Sequence, residues 1–134
     1  MQQPPTAAEL LATVMEVLSD EVVPALSGPV QHNARVAANL VAIVERELRL
    51  GGDAATREHA AIAALLDGVD DGVGDGSANS DLDLAALRDK LAAALRRGMA
   101  DDEATNERVW STLMAVVRVD LTIAKPGHDA WDGD

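Results

Sequence analysis

Between Gln31 and Leu50 the sequence QHNARVAANLVAIVERELRL repeats its apolar residues at three- and four-residue spacing. That is the period of an amphipathic helix, here about five turns long, and it is incompatible with a strand. Pro29 precedes the run and Gly51-Gly52 follow it, so the spacing predicts a helix that opens in a proline turn and stops at the glycines. Projected at about 100° per residue, the apolar arc comprises Val36, Ala37, Leu40, Val41, Ile43, Val44 and Leu48, and is expected to face the core. Glu47 falls near the middle of that arc and Asn33 also projects into it. His32 and Asn39 lie at one edge, with Arg35 and Arg46 just beyond. Polar side chains on an apolar arc need partners, so this strip is where a function is to be sought.

The rest of the chain reads as further helices around this one. Thr6 and Glu9 fit a capping box ahead of an apolar face that includes Leu11, Val14, Met15, Leu18 and Val22. Pro24 implies that this first helix, from Ala7 to about Leu26, bends or restarts near residue 20. Asp53 is placed to cap a short third helix ending at Leu66, and Asp81 a fourth carrying Leu84, Leu87, Leu91, Ala94 and Leu95. Arg96-Arg97 and Gly98 mark the end of the fourth. A fifth runs from about Glu103 to Ala124 with Val109, Leu113, Val116, Val117, Ile123 and Ala124 inward, Trp110 at a flank and Asp120 inside the arc. The stretch 67–81, DGVDDGVGDGSANSD, predicts a mobile acidic loop, and 127–134 a loose tail. The expectation is one all-α domain over 1–134, a compact bundle of about five helices with one long acidic Gly/Asp loop.

Composition narrows the classes of function. The chain has no Phe, Tyr or Cys and only Trp110 and Trp131 as aromatics, so its core is aliphatic and gains from many close helix contacts or a second subunit. A formal charge of -12 disfavours nucleic acid and anionic membrane surfaces as partners. Absence of cysteine removes disulfides and thiolate chemistry. No run approaches a membrane span, and the first residues lack the basic, then apolar, signature of a secretory signal; the cytoplasm is the expected location.

The acidic loop has calcium-loop composition without the spacing. Counting from Asp67 the twelfth position is Ala78, and from Asp70 it is Asp81, where such loops need Glu. There is no Glu-x-x-His pair of the kind helical di-metal bundles use, and no Ser-His-Asp or phosphate-loop pattern, so no metal and no cofactor are expected. The candidate ligand-binding residues are His32, Arg35, Asn39, Glu47 and Asp120. His32, Arg35 and Asn39 follow helical spacing and together suit an anion or a carbonyl. Glu47 and Asp120, on separate helices, are the carboxylate pair to examine for a shared proton or ion. The bland alternative for each is structural: a boundary residue, a surface ion pair or a helix-crossing hydrogen bond. His59 and His128 read as solvated.

Three stretches carry a resemblance: Pro5-Thr6-Ala7-Ala8-Glu9-Leu10-Leu11, Arg35-Val36-Ala37-Ala38-Asn39 and Val44-Glu45-Arg46-Glu47-Leu48. In these the chain resembles a family of small uncharacterised all-helical bacterial proteins, commonly encoded beside acyl-CoA dehydrogenase-like and aminoglycoside-phosphotransferase-like proteins. The family pattern has Phe-His where this chain has His32-Asn33, and a Lys near Asp120. The resemblance implies a partner: an enzyme of the phosphotransferase-like or acyl-CoA-processing kind. The function expected is thus that of a non-catalytic accessory or interaction protein, as a homodimer or with an enzyme partner. The alternative is small-molecule binding or catalysis by the polar strip of the second helix.

Overall fold

The computed structural model describes residues 4–67, 69 and 82–128. All secondary structure among them is helical, in four helices rather than about five. The acidic stretch 67–81 and the tail 127–134 lie mostly outside the described residues, as do Asp81, the expected cap of the fourth predicted helix, and Trp131.

Helix α1 spans Ala7–Val17 and opens in the capping box that Thr6 and Glu9 predict. The Thr6 backbone N–H donates to Glu9 Oε2 at 2.7 Å and the Glu9 N–H to Thr6 Oγ1 at 3.3 Å. The bond from the Thr6 backbone, with a smaller one from its side chain, holds the Glu9 carboxyl below the usual range. The expected irregularity near residue 20 is a π turn, Leu18–Val22, followed by a last turn Val23–Ala25. Pro24 has no N–H to offer the carbonyl of Asp20, so the register slips ahead of it and the Val23 N–H reaches back to the Leu18 carbonyl. Gly28, at φ +64°, turns the chain into the next helix. There Gln31 Nε2 donates to the Val23 carbonyl at 3.0 Å, satisfying an end group of the preceding turn.

Helix α2 is the main departure from expectation. It runs unbroken over Gly28–Leu66, through the Gly51-Gly52 pair read above as a stop. The positive-φ residues among those described are Gly28, Gly98 and Gly127, so Gly51 and Gly52 hold ordinary helical geometry. A glycine pair permits a left-handed cap without requiring one, and Asp53 continues the helix instead of capping a new one.

Helix α3 covers Leu84–Arg96, with Asp83 as its cap; its carboxylate accepts from the Ala86 N–H at 2.7 Å. Gly98, at φ +94°, follows its end as the sequence predicts. Helix α4, Glu103–Ala124, is opened by Asp102, which accepts from the Thr105 N–H at 2.8 Å; that backbone bond keeps the Asp102 carboxyl below its usual range.

The chain forms two compact units. The first holds described residues 4–52 and 121–128. Its α1 and α2 segments line common grooves, Met15, Ser19 and Val23 with Arg35, Ala38 and Ala42, and Thr6, Ala8 and Ala12 with Glu45 and Arg49. Val23, Ala38 and Ile123 are its buried apolar residues, and Arg46 Nε donates to the Ile123 carbonyl at 2.6 Å. The second unit holds 53–67, 69 and 82–120 and contains the larger core: Ile62, Leu65, Leu66, Leu87, Leu91, Ala94 and Val109. Val117 and Ala124, expected inward, are exposed.

Two stability measurements test this architecture. Gly52 has open space where a Cβ would stand, so Gly52→Ala should stabilise by about 0.5–1 kcal/mol in urea unfolding; a capping glycine would lose stability on the same change. Leu87, 0% exposed, should cost about 2–5 kcal/mol on change to Ala. Leu40→Ala, by contrast, should stay within about 0.5 kcal/mol of the parent.

Candidate functional site

The largest surprise is which way the second helix faces. Its side toward α1 includes small and polar residues, Ala38, Ala42, Glu45 and Arg49, with Gln31 at the start and Leu48 at the groove beside Ala8 and Ala12. Bulky residues of the predicted core arc are exposed: Val36, Leu40, Val44 and Leu48 are 44%, 56%, 49% and 55% exposed. Helix α1 does the same with Leu10, Val14 and Val17, and α4 with Trp110 and Val117. Each set repeats at three-, four- or seven-residue spacing, so each is a stripe along one helix face. Scattered exposed apolar residues need no explanation; these spaced sets are the candidate site of the molecule.

This orientation changes the meaning of the polar residues in the arc. Asn33 and Glu47 are not intrusions into a core; both are exposed, in the midst of the outward stripe. The Glu47 carboxylate lies back along the helix over Gly51, 2.5 Å from where a Cβ on that glycine would stand. Neither side chain has a hydrogen-bond or ion-pair partner among the described residues.

The remaining sequence-predicted residues fall in different places. Arg35 and Asn39 line one groove, of about 340 Å³, with Met15, Ser19 and Val23. His32 is exposed and is not among that groove's lining residues. Asp120, also exposed, belongs to the second unit, where it lines a groove of about 320 Å³ with Arg57, Glu58, Ser111 and Thr112 over a floor of Ala54, Ala61, Ala115, Val116 and Val119.

That second groove holds the residue the sequence reading passed over. Glu58 is 9% exposed and takes both forks of Arg88, Nε on Oε1 and Nη2 on Oε2, each at 2.6 Å. The hydrogen bond to Glu58 raises the Arg88 pKa further above its already high range, with a smaller contribution from Asp120. The signal was present: Glu58 stands four, seven and eight residues before Ile62, Leu65 and Leu66, on their stripe. Its neighbour His59, expected to be solvated, is half-buried, with Nε2 2.6 Å from the Leu82 carbonyl. It thereby ties the segment entering α3 to α2.

Chemically the second groove offers hydroxyls from Ser111 and Thr112 and carboxylates from Glu58 and Asp120, and no His is among its lining residues. Among the described residues no cluster of three or more His, Cys, Asp or Glu side chains suits a metal. No helix there is long and apolar enough to cross a membrane.

The molecule is thus an all-α protein whose helices leave ordered apolar stripes in the open. Residues 24–128 match the family described as Domain of unknown function (DUF6285), and the chain belongs to that family. No curated protein and no solved structure gives a significant match.

The Glu58–Arg88 pair can be weighed by mutation. Because Arg88 is about half exposed (its side chain 55%), the pair is worth less than a fully buried one. Glu58→Gln, which keeps the volume and breaks the charge-assisted fork, should lower unfolding stability by about 1–2 kcal/mol in urea titration.

Proposed function

We propose that the protein is a non-catalytic interaction protein, an accessory to an enzyme partner. The observation that carries this reading is the outward stripes: Leu10, Val14 and Val17 on α1, Val36, Leu40, Val44 and Leu48 on α2, and Trp110 and Val117 on α4. Fully burying one such aliphatic side chain is worth about 1.5–3 kcal/mol, and the folded chain leaves this largely unused. A partner that covers a stripe gains it. The aliphatic core of the described residues, Ile62, Leu65, Leu66, Leu87, Leu91, Ala94 and Val109, is consistent with a binding role. The resemblance in Arg35–Asn39 and Val44–Leu48 supports the choice of partner, a phosphotransferase-like or acyl-CoA-processing enzyme.

The test is affinity capture from the native cell, run side by side with the parent and Val14→Glu. Val14 is exposed, so the variant should melt within a few degrees of the parent. The parent should retain one enzyme in near-stoichiometric amount, and the variant should retain less than about a tenth of it. Equal retention by both, or none by the parent, overturns the reading.

A further inference from the structure

The groove that holds Asp120 is formed by two helices meeting through small side chains. Ala61 lines it together with Ser111 and Thr112, and all three also line a second groove that continues to Leu65, Glu107 and Arg108. Rising residue numbers on α2 thus run against rising numbers on α4, and the two segments are antiparallel. That order places Ala54, Arg57 and Glu58 at the Asp120 end of the groove. The hydroxyls of Ser111 and Thr112 stand at the other end, about 12 Å further along α4. Between them the floor is aliphatic: Ala61, Ala115, Val116 and Val119. Alanines fill little volume, which is why about 320 Å³ stays open between the helices.

The charges at the Asp120 end are incompletely paired. Both oxygens of Glu58 accept from Arg88, and Asp120 acts on the same guanidinium only through space. Neither Arg57 nor Asp120 has a hydrogen bond or an ion pair among the described residues. A guanidinium and a carboxylate therefore line one groove without meeting each other. With Glu58 and Arg88 their charges sum to zero, so a ligand that is only an anion or only a cation meets an opposing charge beside its partner. A zwitterion matches both.

We propose that this groove binds a free α-amino acid with an aliphatic side chain. Arg57 takes the α-carboxylate in its planar fork. Asp120 accepts from the α-ammonium, and Glu58, whose lone pairs outnumber the two bonds from Arg88, accepts from it as well. The side chain lies on Ala61, Ala115 and Val116, pointing toward the hydroxyls. The space is at the lower end of small-molecule pockets, about 300–1,000 Å³, which suits a ligand of this size. Its lining has no aromatic face on which a ring or a base could stack. The site is separate from the outward stripes and does not rest on the accessory reading.

NMR titration of the full chain with L-leucine tests it. The parent should bind with a dissociation constant on the order of 0.1–1 mM, the range for so small a ligand, and the amides of Ala61, Ala115 and Val116 should shift. N-acetylleucine, which lacks the ammonium, and leucinamide, which lacks the carboxylate, should each bind at least about tenfold more weakly. These two also mimic the ends of a peptide, so binding of either as tight as leucine's makes the site one for a peptide terminus and overturns the inference. Glycine, without the side chain, should lose about tenfold. Arg57→Gln and Asp120→Asn should each weaken leucine by about tenfold or more. Ala115→Leu should fill the floor and abolish binding. All three positions are exposed, so each variant should melt within a few degrees of the parent. No shifts with L-leucine up to about 10 mM, or binding indifferent to Arg57→Gln, Asp120→Asn and Ala115→Leu, overturns the inference.

Discussion

Everything distinctive about this protein follows from the small side chains along the inner side of α2. Ala38 and Ala42 meet the first helix, and Ala38 is buried there. Alanines fill little volume, and Val36, Leu40 and Val44 stand exposed on the same helix. Arg46 bonds the Ile123 carbonyl, and Arg49 pairs with Glu45. The buried apolar residues of this unit are few: Val23, Ala38 and Ile123. The other unit differs: Ile62, Leu66 and Leu87 are almost wholly enclosed, and it has the packing of an ordinary aliphatic core.

Most of the local structure was legible in the sequence because caps and prolines act through neighbouring residues. Thr6 with Glu9, Pro24, Gly98 and the opening of α4 each depend on bonds within a turn, and each behaves as its local chemistry dictates. Gly51-Gly52 did not, for a reason that is also physical. A glycine lowers the cost of ending a helix without supplying a reason to end it, and helical residues on both sides carried the ladder through. That one misreading also turned one long helix into two and made Asp53 a cap it is not.

The candidate site was less legible, because periodicity locates an arc but not what the arc faces. The same repeat that places Val36 and Leu40 on one side of the helix is satisfied equally by a core and by a partner. Glu47 and Asn33 were visible as anomalies only under the assumption that the arc was internal. Glu58 stands on the Ile62 and Leu66 stripe, but a lone carboxylate at that spacing does not reveal whether a cation answers it. Asp120 drew notice through its arc on α4, yet it is exposed, and Arg35 and Asn39 share a groove that His32 does not line. Long-range partners such as Arg88 for Glu58, thirty residues away, leave no trace in spacing.

The charge and the apolar stripes are two sides of one design problem. An isolated chain with this much ordered apolar surface would adhere to itself indiscriminately, and a charge of -12 opposes that everywhere except where contacts keep carboxylates apart. Acidic repulsion thus acts as a filter: it leaves open those geometries that bury aliphatic stripes while spacing or pairing the anions. On α1 the charged residues are Glu9 and Glu16, with Asp20 and Glu21 in the π turn that follows and no Lys or Arg among them, so the negative charge there is uncompensated within the element.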